Sequence, residues 1–214
     1  MPGFGNAFVV APQGIRAPRP VVVALHGYAD RPEWQCGAWT GVSEARFFVV
    51  CPRGIALPSP PGNFAFGSIL DTEREVFALL AALEQRFPGY VGKESVLVGF
   101  SLGASRAAQL AARHPERFPR VALVEGGTAE WSARASRSFR EGGGERLLLV
   151  CSQAGCEGLL RALERQSRGP STEVRVDYLG PLGHTLAPKV TAKLKEPWRW
   201  LAQGLLTAGS EATP

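Results

Sequence analysis

A Gly-Phe-Ser-Leu-Gly sequence at residues 99–103 follows a short apolar run and precedes a segment rich in alanine. The run at residues 96–98 predicts a buried strand, and residues 104–110 predict a helix. So tight a turn between strand and helix strains the backbone of the central serine, and only very small residues fit two positions to either side. The spacing therefore predicts a nucleophile elbow, with the Ser101 hydroxyl held at the edge of a sheet.

Apolar runs alternate with amphipathic segments along most of the chain. Unbroken apolar runs at residues 21–25 and 147–151 are typical of parallel strands buried on both faces, and residues 73–87 repeat apolar side chains at helical spacing. This order predicts a single α/β domain over residues 1–214: a mostly parallel sheet with helices on both faces. We expect a core over about residues 7–206 and a disordered tail, 207–214.

Composition and charge exclude several classes of protein. The net charge is +5, but the arginines are scattered among alanine and glycine, so we expect no nucleic-acid partner. No apolar run is long enough for a membrane span, and the N-terminus lacks a signal-peptide pattern, which favours a cytoplasmic protein. The chain has only three histidines and lacks the Cys/His spacing of a zinc site, so we expect no bound metal. No strand leads into a dinucleotide-binding glycine motif, so we expect no cofactor.

The four cysteines form two pairs that are close in sequence, Cys36 with Cys51 and Cys151 with Cys156. Two disulfides are geometrically possible, and four reduced, buried thiols are equally compatible with the sequence. The disulfides would indicate an exported protein, because such bonds persist in oxidising compartments.

A serine hydroxyl is a poor nucleophile unless a base accepts its proton. His26 directly follows a buried strand, His184 lies in the loop before the last helix, and His114 ends the helix after the elbow. Loops at the carboxyl ends of parallel strands form the site face of such a sheet, so His26 and His184 both belong there. Where a nucleophile elbow carries the serine, the acid and then the histidine follow it along the chain. This order favours His184, which follows Ser101, as the base.

These residues give the chain a resemblance to the α/β-hydrolase family, to its small carboxylesterase and depolymerase-like members with little or no cap. It rests on Leu-His-Gly-Tyr at 25–28, Cys-Pro-Arg-Gly at 51–54, the elbow, and Gly-His at 183–184, and spans roughly residues 20–205. The resemblance implies hydrolysis of a small-molecule ester through an acyl-enzyme on Ser101. It also implies an oxyanion hole made by the backbone N–H groups of Tyr28 and Leu102, with His26 in a structural role.

The acidic residue departs from the family pattern, because Ser-Gln-Ala-Gly-Cys at 152–156 stands where an aspartate is usual. Glu125 ends the preceding strand, an alternative position for the acid in this fold, and the glycines after it leave room for an imidazole. Glu157 is the second candidate, although the first turn of a helix favours an acidic side chain for dipole reasons alone. We favour Glu125; a Ser–His dyad or an inactive site is the remaining alternative.

The connection at residues 126–145 is too short to build a sizeable cap, so we expect an open cleft. Trp34, Phe64 and Phe66 are candidates for its apolar wall, with core packing as the other interpretation of these side chains. The sequence does not separate an esterase from a thioesterase or peptidase on the same framework. The alternative to an enzyme is a protein of this fold that binds a ligand without catalysing its turnover. The sequence does not specify the oligomeric state.

Overall fold

The computed structural model describes Met1 and residues 3–206, so the predicted disordered tail, 207–214, lies outside the described residues. This part of the chain contains nine strands and six helices, and from β5 onward helices and strands alternate. The strands are β1 (Phe8–Val10), β2 (Arg19–Leu25), β3 (Phe48–Cys51), β4 (Ile55–Ala56), β5 (Phe64–Ala65), β6 (Val91–Phe100), β7 (Arg120–Val124), β8 (Arg146–Cys151) and β9 (Glu173–Tyr178). The helices are α1 (Pro32–Val42), α2 (Ile69–Arg86), α3 (Leu102–Arg113), α4 (Ala133–Glu141), α5 (Glu157–Ser167) and α6 (Pro188–Leu201).

Seven of these strands form one sheet, in the order β1-β3-β2-β6-β7-β8-β9. Only β1 is antiparallel to its neighbour, and the other six strands run in the same direction. The carboxyl ends of β2, β6, β7 and β8 therefore meet at one edge of the sheet. Parallel sheets of this kind place their functional loops at that edge.

Both faces of the sheet are covered, as the unbroken apolar runs predict. Alternate residues of one strand point to opposite faces: Val21 and Val23 pack with helices α2 to α5, and Val22 packs with α1 and α6. Six consecutive residues of β2, from Pro20 to Leu25, are buried. The predicted fold class, a mostly parallel α/β sheet with helices on both faces, is confirmed.

The segment between β3 and α2 contains the two-stranded β4–β5 hairpin, whose residues Phe64 and Ala65 are buried. The last helix, α6, ends at Leu201. No helix among the described residues is both long and apolar enough to span a membrane.

Both predicted cysteine pairs are disulfides in the structure, and the described residues include no free cysteine. Cys36 of α1 is bonded to Cys51 at the end of β3, and Cys151 at the end of β8 is bonded to Cys156 before α5. Each disulfide therefore ties a strand end at the loop-bearing edge of the sheet to a helix that packs nearby.

The two disulfides are expected to contribute unequally to stability. Loss of a cross-link increases the entropy of the unfolded chain, and the cost grows with the length of the closed loop. Removing the Cys36–Cys51 bond, with a sequence separation of 15, by Cys36→Ala/Cys51→Ala should lower the free energy of unfolding by about 3 kcal/mol. The matched pair Cys151→Ala/Cys156→Ala, with a separation of 5, should cost about 2 kcal/mol. Denaturant unfolding measures both, and an unchanged midpoint for the first pair would contradict the expectation.

Candidate active site

Ser101 lies on the sharp turn between β6 and α3 that the sequence predicts. Its φ of 54° and ψ of −118° place it in a conformation that few residues other than glycine adopt. A Cβ atom at Gly99 would lie 2.3 Å from the Gly103 carbonyl oxygen, and one at Gly103 would lie 2.1 Å from the Leu25 carbonyl oxygen. Both glycines are therefore required by close backbone contacts.

His184 contacts this serine from the loop between β9 and α6. Its Nε2 atom lies 2.8 Å from the Ser101 Oγ, which is hydrogen-bond distance. The imidazole also packs against the Phe100 ring, with ring centroids 5.0 Å apart. Gly183, with a φ of +83°, gives the loop the left-handed conformation it needs just before the histidine.

Glu125 lies beside the same histidine, at the end of the neighbouring strand β7. Its Oε2 is 3.8 Å from the His184 Nδ1, and its side chain is only 1% exposed. Its backbone is also strained, with a φ of 56°, so two adjacent strands end in residues with positive φ that face one histidine. The distance of 3.8 Å is longer than a hydrogen bond, so a movement of about 1 Å is needed to form one.

Two residues at the end of β8 hold the Glu125 carboxylate. The backbone N–H and the hydroxyl of Ser152 both contact Oε1, the hydroxyl at 2.5 Å, and the Gln153 amide donates to Oε2 at 2.8 Å. The Ser152 Oγ is also 2.7 Å from the Gly183 carbonyl oxygen. Ser152 is fully buried and therefore connects the carboxylate to the loop that carries His184.

The Gln153 side chain lies between the acid and the imidazole, because its Nε2 is also 3.3 Å from the His184 Nδ1. Gln153 and Ser152 occupy the place where the family pattern has an aspartate. By sequence this stretch indicates only a missing acid, and the hydrogen bonds that these two side chains make to Glu125 are not predictable from it. No motif indicates such contacts, since they depend on the backbone path after β8.

The second candidate acid, Glu157, lies elsewhere. It is an exposed residue in the first turn of α5 and its Oε1 is 3.4 Å from the Arg161 guanidinium.

The glycines after Glu125 are required for a different reason from the one expected, which was to leave room for an imidazole. A Cβ at Gly126 would lie 2.6 Å from the Ser101 carbonyl oxygen, so this glycine accommodates the elbow's backbone rather than an imidazole.

The other predicted residues lie at the start of α3 and in the loop after β2. Leu102 is the first residue of α3, where N–H groups have no acceptor within the helix, and Tyr28 follows the buried His26 and Gly27. The two ring nitrogens of His26 lie 2.8 Å and 2.9 Å from the carbonyl oxygens of Gly27 and Arg53. His26 therefore joins two loops, as the structural role implied by the resemblance requires.

A buried glutamate that the sequence did not indicate as functional supports the loop after β3, which contains Arg53 and Gly54. The Glu75 carboxylate of α2 accepts hydrogen bonds from the backbone N–H groups of Arg53 at 2.9 Å and Gly54 at 3.0 Å. It is 4% exposed, and the helical pattern of α2 gave no signal for an acidic residue on its buried face.

A cleft of about 450 Å³ opens at Ser101 and His184. Its walls come from the loop after β2, the first turns of α1, the elbow, and the loop before α6. The lining residues are Gly27, Tyr28, Ala29, Asp30, Trp34, Gln35, Ala38, Phe100, Ser101, His184, Thr185, Leu186 and Ala187. None of these comes from the connection at residues 126–145, which contributes α4 to one face of the sheet. Tyr28 and Trp34 are 67% and 61% exposed.

Of the three aromatic residues expected in the wall, the structure brings only Trp34 to the cleft. The ring of Phe66 packs against His26 with centroids 4.5 Å apart, and the ring of Phe64 lies under the Arg53 guanidinium at 4.4 Å. Both phenylalanines are buried in the β4–β5 region, so assigning them to the wall was wrong. The β4–β5 hairpin turns them inward, which the loop composition did not indicate.

Comparison with solved structures finds similar proteins over nearly the whole chain. An S-formylglutathione hydrolase from Agrobacterium tumefaciens has a TM-score of 0.65 and 19% identity, covering 93% of this chain and 89% of its own. A fluorophosphonate-binding serine hydrolase from Staphylococcus aureus has a TM-score of 0.64 and 13% identity, covering 92% of both chains. A carboxylesterase from Bacillus cereus has a TM-score of 0.60 and 16% identity, covering 91% of this chain and 93% of its own.

No protein-family model and no curated protein sequence matches the chain. The structural matches nevertheless agree with the strand order and the helical layers described above. The chain has the α/β-hydrolase fold.

Proposed function

We propose that this protein hydrolyses carboxylic esters, with Ser101 as nucleophile, His184 as general base and Glu125 as the acid that orients the histidine. The proposal rests above all on the distance of 2.8 Å between the His184 Nε2 and the Ser101 Oγ, on a strained turn at the mouth of a cleft. Nucleophile and base within hydrogen-bond distance are the basic requirement for acyl transfer of this kind.

In the first half of the reaction, the Ser101 Oγ attacks the ester carbonyl carbon while its proton passes to the His184 Nε2. The carbonyl π electrons move to the oxygen and form a tetrahedral oxyanion. The oxyanion then collapses and expels the alkoxide, which takes the proton from Nε2 and leaves as the alcohol. An acyl-enzyme on Ser101 remains.

In the second half, water loses a proton to Nε2 and attacks the acyl carbon. The Ser101 oxygen is the leaving group and recovers the proton from the imidazole, so the enzyme returns to its starting state. The products are one carboxylic acid and one alcohol. Neither half requires a cofactor or a metal ion.

The N–H groups of Leu102 and Tyr28 are the proposed donors to the oxyanion. Leu102 begins α3, so its N–H lies at the positive end of the helix dipole. The Asp30 carboxylate contacts the backbone N–H groups of Gly27 at 3.4 Å and Arg31 at 2.7 Å, which fixes the loop that carries Tyr28. Each such donor contributes about 3–4 kcal/mol of transition-state stabilisation.

Glu125 stabilises the imidazolium that forms when His184 takes the serine proton. This role requires the tautomer that carries the proton on Nδ1. Because the Gln153 Nε2, 3.3 Å from Nδ1, can only donate, the Gln153 amide moves aside as the present 3.8 Å between Nδ1 and Oε2 closes to a hydrogen bond. This hydrogen bond strengthens as positive charge develops on the ring, and Ser152 holds the carboxylate in place during the movement.

The test is covalent labelling with a fluorophosphonate probe, since only an activated serine reacts with it. We expect stoichiometric labelling at Ser101, identified by peptide mass spectrometry, together with hydrolysis of p-nitrophenyl butyrate. Labelling without turnover of any ester would favour a thioester or peptide substrate. Absence of both would show that the fold serves binding without turnover.

We also propose that the protein works in an oxidising compartment. Two disulfides among the described residues support this, because such bonds are rare in reducing cytosol. Of the two alternatives that the sequence leaves open, cytoplasmic and exported, the disulfides support the exported one.

A further inference from the structure

The Gln153 side chain separates the proposed acid from the proposed base. Its Nε2 lies 2.8 Å from the Glu125 Oε2 and 3.3 Å from the His184 Nδ1, whereas Oε2 and Nδ1 themselves are 3.8 Å apart. The orientation of the amide follows from chemistry: an ionised carboxylate only accepts hydrogen bonds, so the atom beside Oε2 is the NH₂ group and not the amide oxygen. A hydrogen-bond donor therefore occupies the space in which the acid would meet the imidazole.

The position of this donor determines which nitrogen of His184 carries the proton. A neutral imidazole has one N–H and one acceptor nitrogen. Because the Gln153 NH₂ group faces Nδ1, this nitrogen is the acceptor, and the proton resides on Nε2, which faces the Ser101 Oγ at 2.8 Å. In this tautomer Nε2 has no lone pair free for the serine proton. The arrangement is therefore a resting state of the site.

The Gln153 side chain can turn away without releasing the acid. Ser152 is fully buried and contacts the Glu125 Oε1 through both its backbone N–H and its hydroxyl, so the carboxylate stays in place when the amide leaves. Gln153 is an exposed residue in a loop that the Cys151–Cys156 disulfide closes. The disulfide restrains the backbone of this loop, so the departure of the amide requires only a rotation of the side chain.

We propose that Gln153 is a positioning residue that restrains catalysis by holding His184 in the resting tautomer. The site is competent only while this side chain is turned away from Nδ1. The inference rests on the proposed function, since it assigns a regulatory contact to the same histidine. The fraction of molecules in the competent arrangement then limits the rate. Removal of the amide should raise activity, whereas removal of a residue that only supports the acid would lower it.

The kinetic experiment compares Gln153→Ala with the wild type. It measures kcat/KM for p-nitrophenyl butyrate and the second-order rate of labelling of Ser101 by a fluorophosphonate probe. We expect both to rise about fivefold, because a single hydrogen bond from an exposed side chain favours the resting state by about this factor. Rates that fall, or that stay within about twofold of the wild type, would overturn the inference and leave Gln153 as a support of the carboxylate.

Two further variants control this comparison. Gln153→Leu keeps a side chain of similar size that cannot donate to Oε2 or Nδ1, so nothing holds it between them and both rates should again rise. It takes over the test if Gln153→Ala does not fold. Gln85→Ala removes an exposed glutamine of α2 and should leave both rates unchanged.

The tautomer of His184 can be observed directly by nuclear magnetic resonance. The chain has three histidines, so nitrogen-15 labelling of the imidazole rings gives few signals, and those missing from His184→Asn belong to His184. We expect the neutral ring to carry its proton on Nε2 in the wild type and to shift toward the Nδ1 tautomer in Gln153→Ala. Equal tautomer populations in the two proteins would contradict the inference, whatever the rates are.

Failure of the inference and failure of the proposed function give different results. A wild type that neither reacts with the probe nor hydrolyses an ester would contradict the proposed function, and the tautomer measurement would still report on Gln153. An active wild type in which Gln153→Ala changes neither the rates nor the tautomer would contradict the inference alone.

Discussion

Replacing Ser101 by alanine should lower kcat/KM for p-nitrophenyl butyrate by about 10⁴-fold or more, because no other group can form the acyl-enzyme. The remaining donors and the cleft would still bind the ester, so residual hydrolysis above the rate in buffer is compatible with the proposal. Alanine is also well tolerated sterically, since it keeps the Cβ that the strained turn already accommodates. The loss should therefore appear in kcat, with the folded structure retained.

The matched control is Ser105→Ala. Ser105 lies one helical turn further along α3, and only its backbone N–H contacts the elbow, at 3.1 Å from the Ser101 carbonyl oxygen. This variant should keep wild-type activity and fluorophosphonate labelling. If Ser101→Ala retained wild-type rates, the assignment of the nucleophile would be wrong, and so would the mechanism built on it.

The parts that could be predicted from the sequence are those with local causes. Apolar runs at residues 21–25 and 147–151 predicted buried parallel strands because such strands have no solvent-facing side. The elbow was predictable because two glycines with severe backbone contacts flank the serine. The start of α5 at Glu157 agrees with the helical first turn expected at this glutamate.

The parts that could not be predicted depend on contacts between distant segments. Ser152 and Gln153 hold a carboxylate that is 27 and 28 residues away in sequence, respectively, and no periodicity signals such a contact. Phe64 and Phe66 looked like cleft residues by composition, but the β4–β5 pairing buries them.

The identity of the acid can be decided by a conservative change. Glu125→Gln should lower kcat/KM by about 10³-fold, although the side chain keeps its size and most of its hydrogen bonds. The reason lies in how the amide must orient. Ser152 presents its backbone N–H and its hydroxyl to the Oε1 position, so the amide oxygen takes this place and the NH₂ group takes the place of Oε2.

That NH₂ group then faces the His184 Nδ1 at the position now 3.8 Å away. This NH₂ group and the neighbouring Gln153 Nε2 can both only donate, so the variant lacks the acceptor for an Nδ1 proton that the Glu125 carboxylate provides. Nδ1 must then accept, and the ring proton moves to Nε2, next to the Ser101 Oγ. An imidazole in this tautomer cannot take the serine proton, which explains a large loss with little change in structure. The pre-steady-state rate of acylation should fall in parallel with kcat.

Glu157→Gln is the matched control, since it changes an exposed glutamate at the start of α5 that is paired with Arg161. It should retain full activity. A loss in Glu157→Gln with none in Glu125→Gln would transfer the role of the acid to α5 and require that helix to move. Full activity in both variants would mean that Ser101 and His184 act as a dyad, and that the buried Glu125 carboxylate only holds the ends of β7 and β8 together through Ser152.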